Sequence, residues 1–315
     1  MVPPNFNYRG WHHLAIAKEI ARGEVKTIRR FGQDVVLWRG YSGRITVADP
    51  VCPHLGAHLG HGGEVHGDCI RCPFHSWQFD PRGEVFHVPG AKSLPARAHL
   101  NIRNSAEVAG VILGYFDGFS TTSGEVPPVP AELVASLTGG ENAYTTFRKL
   151  TLPADVEAIA ENVPDRAHFE IVHRSSFKNA APMDWDIHEG AFRVRFKSAM
   201  GPTRAPCESE IRYFDAFNMQ AITRNTHTSD MHVTLMLAPI ESNQVELLAA
   251  ATTHGRHGFA AHITNRLFRR LAVGGIAQDA PIWRRKVTNE HPILSDADGP
   301  ILPFRKWHRQ FRLEQ

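Results

Sequence analysis

The fold is decided by residues 52–77, which begin with Cys52-Pro53-His54 and end with Cys72-Pro73-Phe74-His75-Ser76-Trp77. Each of the two segments offers one cysteine and one histidine, and together they complete a four-ligand metal site. Zinc accepts two thiolates and two imidazoles in structural sites. A [2Fe–2S] cluster accepts the same set, with both cysteines on one iron and both histidines on the other. Zinc fingers usually present cysteine pairs and histidine pairs, so one mixed pair per segment favours the iron–sulfur cluster.

The composition is that of an ordinary folded protein. The chain has 315 residues, a formal net charge of +3, 42% hydrophobic and 21% charged residues. These values exclude a disordered chain and argue against a nucleic-acid binder. The length allows about two domains. No apolar stretch approaches the length of a membrane helix, and residues 1–10 lack the pattern of a secretory signal, so we expect a cytoplasmic protein without a membrane span.

The order of predicted elements indicates an α+β protein with two domains. Residues 1–120 contain short strands separated by glycine-containing turns and predict an all-β domain. Residues 121–130 (TTSGEVPPVP) predict a linker. Residues 131–315 combine a run of antiparallel strands with two predicted helices, over 154–172 and over 259–288. A single closing strand is predicted over 107–116.

The two Cys-His segments resemble those of the Rieske family, whose second loop often ends His-x-Trp, here His75-Ser76-Trp77. The resemblance implies a Rieske [2Fe–2S] cluster with Cys52 and Cys72 on one iron and with His54 and His75 on the other. Respiratory Rieske subunits carry a further cysteine in each loop. This chain has Ala57 and Phe74 there, so it is nearer to the oxygenase and ferredoxin branch.

A second group of polar residues is Asn162, Asp165, His168 and His173. The first three step by three residues along one face of a predicted helix. His173 would point about 140° away from His168 on a regular helix, so both imidazoles reach one ion only if the helix bends or ends near residues 169–172. Judged by itself, the pattern is equally compatible with a helix that carries scattered polar residues.

A Rieske module followed by this pattern resembles the Rieske non-haem iron oxygenases. The resemblance implies a mononuclear Fe(II) held by His168, His173 and an aspartate on a late helix, for which we choose Asp279. Other carboxylates in this half are Asp184, Asp186, Asp230 and Glu290. Two histidines and one carboxylate leave iron positions open for dioxygen.

The same resemblance implies roles for two further residues. Asp165 would link His168 to His75 of the partner subunit, which places both residues on an electron path. Asn162 would lie close to the iron without being a firm ligand, and we expect both Asp165 and Asn162 to take part in catalysis.

Three features along the chain resemble the ketosteroid hydroxylase and cholesterol desaturase-like branch of this family. They are Arg9-Gly10-Trp11-His12, the segment 162–173 and the ending Phe304–Phe311. The branch implies a helix-grip (START-like) antiparallel-sheet catalytic domain and a homotrimer.

We therefore expect the terminal oxygenase component of a Rieske monooxygenase, which hydroxylates a C–H bond of a hydrophobic small molecule. The chain shows no Gly-x-Gly-x-x-Gly fingerprint, so electrons must come from an NAD(P)H-dependent reductase or a ferredoxin. One alternative is an O- or N-demethylase. Others are a Rieske electron carrier fused to a non-catalytic ligand-binding domain, and a zinc-stapled module on a lipid-binding domain.

Two further expectations concern the substrate and the redox partner. The basic residues Arg305, Lys306, Arg309 and Arg312 could attract an acidic partner, although a solvated terminal segment explains them better. Candidates for an apolar pocket lining are Phe169, Phe177, Met183, Trp185, Met200, Met219, Met231 and Met236.

Overall fold

The computed structural model describes residues 6, 8–118, 126–139, 144–173, 183–200, 205–225, 230–253, 259–287 and 289–313. Contacts divide the chain into two compact units. The first, called the β unit here, consists of His13–Tyr115 and Phe119–Pro127. The second, called the mixed unit, consists of Met1–His12, Phe116–Gly118 and Pro128–Gln315. Phe177 lies outside the described residues.

Short strands in three sheets build the β unit. The sheet orders are β1-β10-β9, β2-β3-β4 and β5-β6-β7-β8. The strands are β1 Gly10–Ile16, β2 Val25–Arg30, β3 Gln33–Arg39, β4 Ile45–Ala48, β5 Glu64–His66, β6 Cys69–Arg71, β7 Gln78–Phe79, β8 Val85–His87, β9 Ser105–Val108 and β10 Val111–Phe116. A short 3₁₀ turn, Ala17–Glu19, follows β1.

The core of the β unit contains both cysteines of the two Cys-His segments. Cys52 and Cys72 are buried in one cluster with Trp38, Ile70 and Phe79. The indole Nε1 of Trp38 donates to the main-chain oxygen of Asp68 at 2.9 Å, which satisfies its polar atom inside the core. The hydrophobic core therefore fixes where the two thiols lie.

A seven-stranded antiparallel sheet of order β11-β17-β16-β15-β14-β13-β12 dominates the mixed unit. Its strands are β11 Tyr144–Leu152, β12 Asp184–His188, β13 Ala191–Met200, β14 Ala205–Tyr213, β15 Asn218–Asn225, β16 Met231–Glu241 and β17 Gln244–Thr253. The helices are α1 Ala131–Thr138, α2 Val156–Ala160, α3 Arg166–Val172, α4 Phe259–Trp283 and α5 Ile301–His308, followed by a 3₁₀ turn at Arg309–Phe311. The predicted fold class, an all-β domain followed by an antiparallel-sheet α+β domain, is confirmed.

Two-residue turns with a glycine at the second position join three pairs of strands. They are Phe31-Gly32, Ala109-Gly110 and Glu189-Gly190, and all six residues have positive φ. Such turns match the twist of the flanking strands. The turn at Ala109-Gly110 divides the stretch 107–116, so the prediction of a single closing strand there was wrong.

The helix predicted over 154–172 is also divided. α2 ends at Ala160, a turn covers residues 161–164, and α3 begins at Arg166. Pro164 disfavours helical geometry at the residue before it, which explains the break. The side chain of Asp165 then caps α3 by accepting from the His168 main-chain N–H.

The long late helix, α4, continues through Gly274 and Gly275 and ends at Trp283, five residues before the predicted end. It packs against β11, β16 and β17. In the described part of the chain, no helix combines the length and hydropathy needed to span a bilayer.

Candidate metal centres

The two Cys-His segments form loops with the same main-chain hydrogen bonds. In the first, Cys52 N–H donates to the Ala57 oxygen at 2.8 Å, and Gly56 N–H donates to the Cys52 oxygen at 3.0 Å. In the second, Cys72 N–H donates to the Trp77 oxygen at 2.8 Å, and Ser76 N–H donates to the Cys72 oxygen at 3.1 Å. Gly56 and Ser76, the fourth residues after the cysteines, both have positive φ, at 77° and 58°. The loops therefore present their side chains with matched geometry.

The four side chains of these loops fit an iron–sulfur cluster. Cys52 and Cys72 are each 2% exposed, and they belong to the same core cluster. The rings of His54 and His75 are 4.7 Å apart between centroids. Burial raises the pKa of the Cys52 thiol to about 11, with a further contribution from Cys72. Thiolates are costly in this core unless a cation compensates their charge, as a cluster iron does.

The indole of Trp77 stacks on the ring of His54, with 4.2 Å between centroids and 9° between planes. This contact holds the imidazole in one orientation. The other histidines nearby have structural contacts: His58 Nδ1 accepts from Gly60 N–H at 3.1 Å, and the His61 ring packs on the His58 ring at 4.3 Å. Cys69 is a free thiol.

The mixed unit brings His168, His173 and Asp279 together, with ligand atoms all within 4.8 Å of one another. His168 lies on α3, and His173 follows the last residue of α3 with φ −98° and ψ 34°. On a continuous helix His173 would point about 140° away from His168. Because α3 ends at Val172, the two imidazoles can instead face the same point. Asp279 comes from α4. No other group of three such residues converges in this way among the residues that the structure describes.

An orphaned oxygen supports a metal at this point. Asp279 is 2% exposed, and its Oδ1 has no hydrogen-bond partner among the described atoms. Its Oδ2 lies 3.4 Å from His173 Nε2. A buried carboxylate oxygen without a partner is costly, and a cation held by the carboxylate and two imidazoles would satisfy it.

Two amide side chains hold these groups in place. The Asn162 Nδ2 lies 3.0 Å from His168 Nε2 and donates to Asp279 Oδ2 at 2.9 Å. Gln278 Oε1 lies 3.0 Å from His173 Nδ1, so the opposite nitrogen of that ring faces Asp279. The sequence indicated Asn162 through the family pattern, whereas Gln278 belongs to no motif; its only signal is its position next to Asp279.

The pKa values of the two imidazoles are shifted in opposite directions. Burial lowers the pKa of His168, against the opposing influence of the Asp165 main-chain oxygen. Burial also works against protonation of His173, but hydrogen bonds with Asp279 and Gln278 outweigh it and raise the pKa of that ring. Metal binding requires both rings to be neutral, so it competes with protons chiefly at His173.

Asp165 contacts His168 through its main chain. The Asp165 main-chain oxygen lies 2.5 Å from His168 Nδ1, while its carboxylate accepts from the His168 N–H at 3.4 Å. The carboxylate is thus used as a helix cap, and its predicted link to a second subunit stays a prediction.

The competing carboxylates lie elsewhere. Asp186 pairs with Arg193 at 2.6 Å and Arg195 at 2.7 Å, and these guanidinium groups lower its pKa to about 2. The other two pairs are Asp230 with Arg224 and Glu290 with Arg309.

A buried ion pair supports the segment that carries Asn162. Glu161, its neighbour in sequence, pairs with Arg305 of α5, and the side chains are 9% and 8% exposed. The Lys286 Nζ lies 3.5 Å from the same carboxylate. Arg312 pairs with Glu157 at 2.7 Å. The interpretation of the basic terminal residues as a solvated segment was therefore wrong for Arg305 and Arg312, which pair with Glu161 just after α2 and with Glu157 within it.

A cavity of about 400 Å³ lies beside the three candidate ligands. One wall is the face of the sheet on which alternate residues of β15 and β16 lie: Met219, Ala221, Thr223, Met231, Val233 and Leu235. The other wall is α4. Of the predicted lining residues, Phe169, Met219 and Met231 line this cavity, whereas Met183, Trp185 and Met236 do not. The side chain of Met200 lies outside the described set.

Matches to known proteins extend over almost the whole chain. Residues 10–98 match the Rieske [2Fe-2S] domain family, and residues 122–312 match the 3-ketosteroid 9alpha-hydroxylase C-terminal domain family. A 3-ketosteroid-9-alpha-monooxygenase oxygenase component of Rhodococcus rhodochrous is 27% identical over 329 residues, which cover 97% of this chain and 81% of that protein. A cholesterol 7-desaturase of Drosophila melanogaster is 26% identical over 344 residues, covering 98% and 76%.

The crystal structure of dicamba monooxygenase bound to dicamba has the same fold. Its TM-score is 0.77 at 15% identity, with 98% of this chain and 97% of that chain covered. The cofactors of these oxygenases are a Rieske [2Fe–2S] cluster and a mononuclear iron, which agrees with the two donor sets described above and removes the zinc interpretation. Because the catalytic-domain match spans more than half of the chain, the protein belongs to the Rieske non-haem iron oxygenases, in the 3-ketosteroid 9alpha-hydroxylase family.

Proposed function

We propose that the protein is the terminal oxygenase component of a Rieske monooxygenase and hydroxylates a C–H bond of a hydrophobic molecule, which is steroid-like, alicyclic or aromatic. One observation carries the proposal: His168, His173 and Asp279 converge within 4.8 Å and line an apolar cavity. Two of the curated relatives are named for ketosteroid and cholesterol chemistry, which supports a steroid-sized substrate.

The chain's own residues have distinct roles in this function. Cys52, Cys72, His54 and His75 hold the [2Fe–2S] cluster, and Trp77 fixes the orientation of His54. His168, His173 and Asp279 hold the mononuclear iron, while Gln278 and Asn162 orient them. Iron in such a facial triad supplies open positions for dioxygen. The apolar sheet face excludes water and brings a C–H bond towards the three ligands.

The electrons come from outside the chain. We propose an NAD(P)H-dependent reductase, a ferredoxin or both as the partner, in the cytoplasm, where NAD(P)H is available. We also propose a homotrimer in which Asp165 connects His168 with His75 of the partner subunit. In Asp165→Asn protein, both iron centres should remain while electron transfer from the cluster site to the mononuclear iron site falls; unchanged turnover would remove this role.

The test uses His168→Ala and, as a matched control, His291→Ala, which changes an exposed histidine outside the site. Iron-loaded wild-type protein should hold about three irons per chain, two of them in the cluster. His168→Ala should hold about two, keep the Rieske electron paramagnetic resonance signal and form no hydroxylated product from a 3-ketosteroid probe in a dithionite-reduced single turnover with dioxygen. His291→Ala should behave as wild type. Product formation by His168→Ala would overturn the proposal.

The same assay separates the alternative functions. An electron carrier would lack the third iron and would form no product even as wild type. A demethylase would release formaldehyde from a methoxy or methylamino probe rather than add a hydroxyl group that stays on the ring.

A further inference from the structure

The wall of the cavity formed by α4 contains a cation, Arg270. Arg270 lines the cavity and is exposed, and within the described part of the chain it takes part in no ion pair or hydrogen bond. Among the described residues of the lining, it is the one charged residue apart from those of the metal site. A cation that borders an apolar cavity without a carboxylate partner is a binding point for an anionic group.

Arg270 lies about two turns before Gln278 along α4, and both residues line the cavity. Arg270, Gly274 and Gln278 form an i, i+4, i+8 row, and Gln278 contacts the His173 ring. Eight residues of helix correspond to about 12 Å along the axis. The cation is therefore separated from the iron site by about the length of a fused-ring skeleton.

Between these two ends, the helix leaves space. Gly274 and Gly275 line the cavity, and a Cβ added at either would meet no atom within 4 Å. Glycine inside a helix lowers helix stability relative to alanine, so Gly274 and Gly275 destabilise α4. Because they have no side chains, a flat molecule can lie directly against the helix backbone.

On the opposite wall, which is the sheet, the hydroxyl groups of the cavity lining are hydrogen-bonded to each other. The pair, Ser209 and Thr223, lies directly across neighbouring strands, and the two oxygens are 3.1 Å apart. Because the hydroxyls satisfy each other, the middle of the cavity suits an apolar body.

We propose that the substrate is an amphipathic acid, with an apolar fused-ring body along Gly274 and Gly275 and a carboxylate at Arg270, about 12 Å from the oxidised carbon. This inference rests on the proposed function and specifies the substrate class of the same site.

The test measures binding of two probes, 5β-cholanic acid and its methyl ester, by isothermal titration calorimetry to the full iron-loaded chain. The acid should bind about tenfold more tightly than the ester, since an Arg–carboxylate contact is charge-assisted. Arg270→Ala should remove the preference and leave ester affinity unchanged, and Arg270→Lys should keep part of it. Arg266→Ala removes an equal charge one turn earlier, from an exposed residue outside the lining, and should keep the preference.

A second variant tests the path along the helix. Gly274→Leu should weaken binding of both probes at least about tenfold, while its melting temperature equals or exceeds that of wild type because leucine favours the helix. Unfolding therefore cannot explain the loss. Equal affinity for acid and ester, failure of the acid to bind, or unchanged binding by Gly274→Leu would overturn the inference. None of these results affects the proposed function, which the iron count and the His168→Ala turnover test separately.

Discussion

Replacing Glu161 by glutamine should destabilise the mixed unit far more than the loss of an ordinary ion pair. The side chains of Glu161 and Arg305 are 9% and 8% exposed. The neutral amide leaves the guanidinium buried without its counter-ion, with the Asn289 main-chain oxygen at 2.7 Å as a remaining acceptor. Breaking a buried pair in this way costs about 3–5 kcal/mol. Because the glutamine amide retains one acceptor oxygen, we expect a loss of about 3 kcal/mol in the free energy of unfolding, at the lower end of this range.

Differential scanning calorimetry measures this loss. For a unit of this size, about 3 kcal/mol corresponds to a decrease of about 9 °C in melting temperature. The control is Glu208→Gln, which breaks the ion pair with Lys197. Both side chains of this pair are exposed, Lys197 at 74% and Glu208 at 66%. Exposed pairs contribute about 0–1 kcal/mol, so the control should melt within about 3 °C of wild type.

A double variant separates the pair from its neighbours. Glu161→Met with Arg305→Met removes both buried charges and should recover part of the stability, since Lys286, which also loses its partner, is partly exposed to solvent. Equal melting temperatures for Glu161→Gln and Glu208→Gln would refute the reasoning. Asn162 follows Glu161 directly, so Glu161→Gln should also hold mononuclear iron less tightly in a chelator competition.

The remaining predictions concern single contacts. Gln278→Leu removes the partner of His173 Nδ1 and should weaken iron binding about 10–100-fold in chelator competition, with the Rieske spectrum unchanged; equal affinity would contradict this role. Burial raises the pKa of Asp215 to about 6, so folding favours its protonated form. Protonated Asp215 contributes about 3 kcal/mol to the free energy of unfolding below its unfolded pKa near 4, and this contribution is lost as the pH rises through 6. In urea unfolding, the stability of wild type relative to Asp215→Asn should therefore fall by about 3 kcal/mol between pH 4 and pH 7. A constant difference between the two proteins would disprove this. Ser76 has φ 58°, where an L side chain costs about 1–2 kcal/mol. Ser76→Gly removes this cost but loses about 0.5–1 kcal/mol of chain entropy, so it should stabilise the loop by about 0.5–1 kcal/mol. Gly56→Ala, at φ 77°, should destabilise the other loop; equal unfolding midpoints would argue against strain.

The cluster loops could be predicted because each combines its cysteine and histidine within a few residues. Local spacing carries the chemistry there, and the core that buries the thiols follows from the same short strands. His168 and His173 were recognisable as a pair for the same reason. Pro164 and the cap at Asp165, both visible in the sequence, mark where α3 begins, whereas the end of α3 just before His173 has no comparable signal.

The contacts that complete the mononuclear site are not local. Gln278 meets His173 across 105 positions, and Arg305 meets Glu161 across 144. Neither pair belongs to a periodic pattern, and a glutamine or arginine on a helix is usually solvated. Only the packing of α4 and α5 reveals these contacts, which is why the residues at the C-terminus were interpreted as solvated.

One helix both carries Asp279 and forms a wall of the cavity, and this limits how the enzyme can be re-engineered. Residues along α4 share one helix with a metal ligand, so a shift of the helix backbone that enlarges the cavity also displaces the carboxylate and weakens iron retention. Met219 and Val233 are on strands that carry none of the three ligands. Libraries that aim at new substrates should therefore vary the sheet side first and leave the helix as the fixed reference.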